Sequence, residues 1–383
     1  MSVTAARGFR AAGVAAGLKP SGDRDLALVV NDGPEYAAAG VFTSNRVKAA
    51  PVLWSQQVLA GGRLTAVVLN SGGANAGTGH VGFQHAHATA ERTAERLAVG
   101  PVDVAICSTG LIGELLDLPA VLRGIDAAAA RLSADGGDAA AAAILTTDTV
   151  AKQAVSRVDG WTVGGMAKGA GMLAPSLATM LAVLTTDAVV DPETCDEALH
   201  LAVRRTFDRI DSDGCMSTND TVLLLASGAS ARRPSPELFT AVLEKVCGRL
   251  GAALLADAEG ATHDIAIQVS GAVSEEDAVQ VGRAVARSNL LKCAVYGGDP
   301  NWGRALAAIG TTSASFAPDE VDIAINGVKV CQAAAPGEPR HLVDLSGRLV
   351  QIDIDLHAGP HSVTVWTNDL TPGYVRENSA YSS

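Results

Sequence analysis

Short apolar runs alternate with amphipathic stretches along most of this chain. Residues 26–31 and 64–70 are Val-rich, nearly free of charge and bounded by turn formers, and read as strands. Residues 83–99 set alanines and a leucine against Glu91, Arg92, Glu95 and Arg96, the pattern of a helix with one solvated face. A strand is predicted over 102–109 and a helix over 118–132. Met180-Leu181-Ala182-Val183-Leu184 is wholly apolar and fits a buried strand. Helices follow over 192–207 and from Ser235-Pro236-Glu237 to about Leu255, the latter with serine at the N-cap and proline in the first turn. Ser274-Glu275-Glu276-Asp277 is a further start of capping-box type.

The last hundred residues shift towards strands. Residues 321–331 alternate about Asn326-Gly327, a hairpin signal, and 349–356 and 362–366 alternate in the same way. Ala335-Pro336-Gly337-Glu338-Pro339 reads as a loop. The interleaving of strands and helices predicts an α/β or α+β protein. At 383 residues the chain is long for a single core.

Composition narrows the function. Hydrophobic residues make up 48% and charged ones 18%, which fits a compact soluble globule and not disorder. The net charge of −12, with no basic cluster longer than Arg204-Arg205 or Arg232-Arg233, argues against nucleic acid. No apolar segment is long enough for a membrane span or a signal peptide, so the cytoplasm is the expected compartment. The six cysteines form no Cys-x-x-Cys pair and read as reduced thiols. Neither the histidines nor Asp211-Ser212-Asp213-Gly214 complete a metal site, and none is expected. Gly77-Thr78-Gly79-His80-Val81-Gly82 matches a dinucleotide fingerprint formally, but the strand before it ends too early and no acid closes the next one. Asn70-Ser71-Gly72-Gly73-Ala74-Asn75 reads instead as a tight loop lining a site.

Chemistry concentrates where residues 164–172, carrying Lys168 and several glycines, run through Pro175 to Ala178-Thr179 and then into the apolar run. Glycines permit unusual backbone conformations at a reacting peptide bond. Small Ala178 leaves the 178–179 carbonyl open to the Thr179 hydroxyl. An N→O acyl shift and ester hydrolysis would free the Thr179 α-amine as a base for its own hydroxyl. The plainer alternative is a Gly-rich loop entering a core strand. Thr109-Gly110, at a strand end, can present a hydroxyl and a bare N–H to one point, as a developing oxyanion requires. It can equally be an ordinary strand exit. Lys168 has uncharged neighbours, and a buried ammonium needs an anion such as an amino-acid carboxylate. Glu259, at a helix end, could receive an amino group.

Lys168-Gly169-Ala170-Gly171-Met172-Leu173-Ala174-Pro175-Ser176-Leu177-Ala178-Thr179-Met180-Leu181 resembles the self-cleavage site of the ornithine acetyltransferase family, the glutamate N-acetyltransferases of arginine biosynthesis. Cys107-Ser108-Thr109-Gly110-Leu111-Ile112-Gly113, Thr146-Thr147-Asp148-Thr149, Gly297-Gly298-Asp299-Pro300-Asn301-Trp302-Gly303-Arg304 and Gly373-Tyr374-Val375-Arg376-Glu377-Asn378-Ser379 are similar to further family blocks, in family order. The resemblance implies a layered helix–sheet–sheet–helix sandwich with a smaller C-terminal lobe, an architecture shared with self-cleaving aminopeptidases. It implies a cut into 1–178 and 179–383, the second fragment with a helical segment at about 190–260 and a strand-rich lobe at about 275–383. It makes Thr179 the nucleophile and Thr109 and Gly110 the oxyanion hole. Thr146, Lys168, Thr179, Glu259, Asn378 and Ser383 become substrate-binding residues, with Thr147 an alternative to its neighbour. The Gly297–Arg304 block is expected to brace the pocket wall. The implied reaction moves acetyl from N2-acetylornithine to glutamate without a cofactor, acetyl-CoA being a conceivable second donor. The implied assembly is a heterotetramer of two fragments of each kind. A self-cleaving amidohydrolase, or a non-enzymatic binder of acetylated amino acids, stands as the alternative.

Overall fold

The computed structural model describes residues 2–172, 174 and 180–380. A four-stranded sheet runs in the order β1 (Phe9–Val14), β2 (Leu26–Asn31), β4 (Ala66–Ser71), β5 (Val104–Thr109). A five-stranded sheet has the order β3 (Ala37–Phe42), β9 (Thr221–Ala226), β8 (Leu181–Thr186), β7 (Trp161–Lys168), β6 (Lys152–Val158). The helices that cover them are α1 (Ala50–Val58), α2 (Gly79–Leu97), α3 (Leu118–Ala129), α4 (Gly137–Ala143), α5 (Pro192–Arg205) and α6 (Pro236–Ala256).

Alternation along the central strands builds the layers. Leu26, Leu28 and Val30 of β2 point out to α2 and α3, where Ala86, Ala90, Val121 and Ile125 meet them. Ala27 and Val29 point inward and join Val67 and Leu69 of β4 against Leu181, Val183, Leu223 and Leu225 of the second sheet. On that sheet's far face, Ala182, Leu184, Val222 and Leu224 pack on α5 and α6 through Leu199, Phe239, Leu243 and Leu250. Strands buried on both faces become continuous apolar runs, and each enclosed Val or Leu contributes about 1.5–3 kcal/mol. The expected helix–sheet–sheet–helix stack is therefore present.

A separate core builds the C-terminal lobe. Its sheet has the order β13 (Ala335–Pro336), β12 (Val328–Gln332), β11 (Asp322–Ile325), β14 (Leu349–Asp355), β10 (Asp264–Ala272), β15 (His361–Asn368). It packs on α7 (Glu275–Ala286) and α9 (Trp302–Ile309), with α8 (Asn289–Tyr296) between them in the chain. Asn326 and Gly327 both take positive φ, 47° and 83°, the conformation a two-residue hairpin demands. The chain ends in α10 (Pro372–Ala380), which buries no side chain.

Four expectations need correction. The stretch 190–260 is not helical throughout, because β9 lies within it at the heart of the second sheet. The lobe's sheet begins with β10, upstream of residue 275. The 335–339 loop contains the edge strand β13. Finally, the glycine-rich loop does not start at Gly164: Gly164, Gly165 and Lys168 belong to buried β7. Those glycines serve close packing, since a Cβ on Gly164 would lie 2.4 Å from the Ser2 carbonyl oxygen and one on Gly165 2.7 Å from a Leu184 methyl.

Candidate active site

Three neighbouring strands bring the site together at one end of the second sheet. Lys168, the last residue of β7, pairs with Leu181 at the start of β8, and Leu181 pairs with Thr221 at the start of β9. The flanking residues Gly169, Met180 and Asp220 are thereby gathered beside one another. Ala178, Thr179 and Ser383 lie outside the described residues. Met180 fixes where the chain leaves that segment: its amide donates to Asp220 Oδ1 at 3.1 Å, and its carbonyl accepts from Thr221 N–H at 3.1 Å.

Thr109 and Gly110 come from the opposite sheet. Ser71 and Thr109 are paired at the ends of parallel β4 and β5, so the 70–75 loop leaves the sheet directly beside Thr109. Gly73 N–H donates to the Thr109 carbonyl at 3.0 Å and Ala74 N–H to that of Leu111 at 2.9 Å. Asn70 braces this loop through Gly73 O at 3.1 Å and accepts from the Ser108 hydroxyl at 2.6 Å. Asn219, just before β9, donates to Ala74 O at 2.6 Å and Ser108 O at 2.8 Å, tying the two sheets together. The 70–75 segment is thus a tight loop packed directly beside Thr109. Of the nearby fingerprint-like glycines, Gly77 precedes the Thr78 N-cap, and Gly79 and Gly82 lie in the first turn of α2, where Gly82 packs against Thr78 and Asn75.

Lys168 is 1% exposed, and its ammonium donates to Thr109 Oγ1 at 3.3 Å. That contact joins the pair on the first sheet to the lysine on the second. Burial pushes the Lys168 pKa below the usual lysine range, against the opposing pull of Asp148. Asp220, 0% exposed, is driven well above the ordinary carboxylate range by burial, and its Oδ2 has no hydrogen-bond partner among the described residues. The Asp220 carboxyl group therefore sits against the Met180 amide, where the chain enters the second sheet. Thr146 is also nearby, with its N–H bound to Asp148 Oδ2 at 3.1 Å.

Glu259 approaches from the exit of α6. Its N–H donates to Ala170 O at 3.0 Å, and its carboxylate lies so close to Gly171 that a Cβ there would be 2.6 Å away. The carboxylate also borders a cavity of about 430 Å³ shared with Ser212, Asp213, Lys292 and Tyr374. Asn378, on α10, donates to Glu259 Oε2 at 2.9 Å. The described candidates Thr109, Gly110, Thr146, Lys168, Glu259 and Asn378 are thus linked through direct contacts or shared neighbours. Replacing Asn378 by Asp sets two carboxylates against each other. It is expected to raise KM about tenfold with the melting temperature unchanged, since a hydrogen bond to a charged group is worth about 1.5 kcal/mol or more; steady-state kinetics checks this.

The Gly297–Arg304 block stands apart. It joins α8 to α9, with Asn301 capping α9 through Arg304 N–H at 3.3 Å and bonding Asp299 at 2.9 Å. Trp302 packs into the C-terminal core. The block is a joint within that lobe, and Arg304 Nη1 ties it to Leu290 O of α8, the helix whose Lys292 borders the cavity of about 430 Å³. Among the described residues no cluster of side chains could hold a metal ion, and no helix is long and apolar enough to cross a membrane.

Comparison with known proteins gives this arrangement its family. The ArgJ family model matches residues 10–383. The arginine biosynthesis bifunctional protein ArgJ of Streptomyces avermitilis is 64% identical over 383 residues, with both chains fully covered. A solved ornithine acetyltransferase from Mycobacterium tuberculosis, complexed with ornithine, is 58% identical with a TM-score of 0.45, over 47% of this chain and 96% of that one. The solved ArgJ of Bacillus halodurans is 34% identical with a TM-score of 0.50, over 52% of this chain and 98% of that one. With Lys168 and Thr109 in contact across its two sheets, and a family match spanning nearly its whole length, this chain belongs to the ArgJ family.

Proposed function

We propose that the chain cuts itself between Ala178 and Thr179 and then carries acetyl from N2-acetylornithine to glutamate on the Thr179 hydroxyl. The observation that carries this reading is the meeting of Thr109, Lys168 and the chain at Met180 at one end of two facing sheets, in a member of the ArgJ family. The solved Bacillus halodurans chain aligns over 98% of itself but 52% of this chain, which fits a family whose members occur as two fragments.

The Thr179 α-amine, created by the cut, takes the hydroxyl proton as the oxygen attacks the acetyl carbonyl. Thr109 Oγ1–H and Gly110 N–H receive the oxyanion. The amide C–N bond breaks, the α-amine returns the proton to the leaving nitrogen, and ornithine departs. Glutamate then repeats the sequence in reverse: its neutral amine attacks the acetyl ester, and Thr179 leaves as the restored alcohol. One pocket must accept both an aminopropyl and a carboxyethyl side chain. Lys168 for the shared α-carboxylate, with Glu259 near the variable end, meets that demand by charge.

The relatives' name, "bifunctional", supports acetyl-CoA as a second acetyl donor to the same threonine. No cofactor enters the chemistry. We place the reaction in the cytoplasm and the assembly as a heterotetramer of two fragments of each kind; Thr146, Asn378 and Ser383 complete the substrate contacts. Incubation with N2-acetylornithine alone should add one acetyl group to fragment 179–383, and later glutamate should collect it as N-acetylglutamate. Release of acetate in place of N-acetylglutamate would assign the chain to amidohydrolysis. Acetyl-CoA in place of acetylornithine tests the second donor.

A further inference from the structure

Behind Lys168 lies a buried charge network that the proposed chemistry does not use. Asp148, in the turn between α4 and β6, has a fully enclosed side chain. Its Oδ1 accepts from Lys152 Nζ and from Gly169 N–H, both at 2.6 Å. Its Oδ2 accepts from Thr146 N–H at 3.1 Å and faces Lys168 Nζ at 3.8 Å. Lys152, also enclosed, reaches Asp257 Oδ2 at 2.6 Å. Asp257 follows α6 two residues before Glu259, and it takes the Thr149 N–H at 3.0 Å and the Thr149 hydroxyl. Two lysines and two aspartates balance in charge, so the network is a neutral island spanning the 146–149 turn, the β7 exit and the α6 exit.

We propose that Asp148 is the positioning residue of the substrate site, holding Thr146, the Gly169 amide and the Lys168 ammonium in one geometry for a substrate carboxylate. The inference rests on the reading that Lys168 receives that carboxylate. A single carboxylate reaches all three groups, and both of its oxygens are saturated by them and by Lys152. Burial drives the Asp148 carboxyl upward, yet Lys168, Lys152 and the Gly169 amide outweigh it and bring it down to about 2, so it stays anionic at working pH. Lys168 itself faces Asp148, Lys152, Asp220 and Glu259, together with the Thr109 hydroxyl. Of these, the Asp148 charge is the strongest support for its proton, and Lys152 opposes it. Asp148 therefore sets how far up the pH scale Lys168 keeps its charge, and Lys152 sets it in the opposite sense.

The two lysine neighbours can be separated by sign. The test compares wild type, Asp148→Asn and Lys152→Met in the self-processed protein, following ornithine release from N2-acetylornithine with saturating glutamate as acceptor between pH 6 and 10. In Asp148→Asn the KM should rise at least about tenfold with kcat far less affected, and the alkaline fall of kcat/KM should move to lower pH. In Lys152→Met that fall should move to higher pH, because a repelling charge beside Lys168 is gone. A merely structural role predicts damage without opposite shifts. An unmoved alkaline limb, or a move in the same direction in both variants, overturns the proposal. Should Asp148→Asn fail to fold, the Lys152→Met limb decides alone: upward supports, unchanged or downward refutes. Wild type that releases no ornithine would instead refute the underlying reading of the site.

Discussion

Purified wild-type protein is expected to run on a denaturing gel as fragments 1–178 and 179–383, and Thr179→Ala as one chain of 38.9 kDa without acetyl transfer. The two losses have one cause. Without the hydroxyl no acyl shift can begin at the 178–179 peptide, so the α-amine never forms. Without the hydroxyl there is also no acceptor for the acetyl group. Removing a nucleophile from a group of residues that act as a unit costs on the order of 10⁴-fold or more in kcat. The fold should survive, because the core strand after the cut starts at Leu181 and is held by β7 and β9 on either side. Thr179→Ser separates the steps, since it keeps a hydroxyl and should still cut. N-terminal sequencing of active enzyme that finds only the original terminus would end the hypothesis.

The sandwich was legible wherever one chemical pattern had one structural meaning. Residues 26–31 formed the predicted strand β2 because apolar side chains fill both of its faces. Ser235 and Ser274 cap α6 and α7 as expected, accepting from Leu238 N–H and Asp277 N–H. The pattern failed where small residues hid a strand. In β7 the glycines looked like punctuation, but they are there because the N-terminal segment and Leu184 leave no space for a side chain. In β3, alanines and a glycine carry too little apolar bulk to announce a strand, yet its place beside β9 is fixed by ladder hydrogen bonds.

The site divides in the same way. Thr109, Gly110 and Lys168 could be singled out because a strand end and an uncharged neighbourhood are local signals. Asp220 could not: its role depends on the Met180 amide, 40 positions earlier, and on enclosure that only the folded sheet supplies. Asp148 stood in a noted block, but its weight comes from Lys152, Lys168 and Gly169 converging on it. Lys152 had no signal at all. A lysine near a Val-rich strand is ordinarily solvated, and only the pairing with two aspartates accounts for its burial.

Replacing Gly110 by Ala is expected to lower kcat about 10²–10³-fold, the loss that follows when one oxyanion donor is misplaced. Gly110 has φ +129°, where side chains are rarely accommodated, and a Cβ there would stand 2.5 Å from Gly73 N and 2.8 Å from Gly72 C. Those are backbone atoms, so no side chain can swing aside. The loop that carries them is bound to Thr109 O, to Asn70 and, through Ala74, to Asn219. It cannot retreat without breaking those bonds, and the Thr109–Gly110 peptide must move instead. A control separates this displacement from backbone strain. Gly113, three residues on, has φ +88° with open space where its Cβ would be. Gly113→Ala should therefore cost about 1–2 kcal/mol of stability from conformation alone and leave kcat within a few-fold. Thermal melts and single-turnover acetylation of both variants make the comparison. Equal losses of kcat would trace the effect to strain and take Gly110 out of the oxyanion hole.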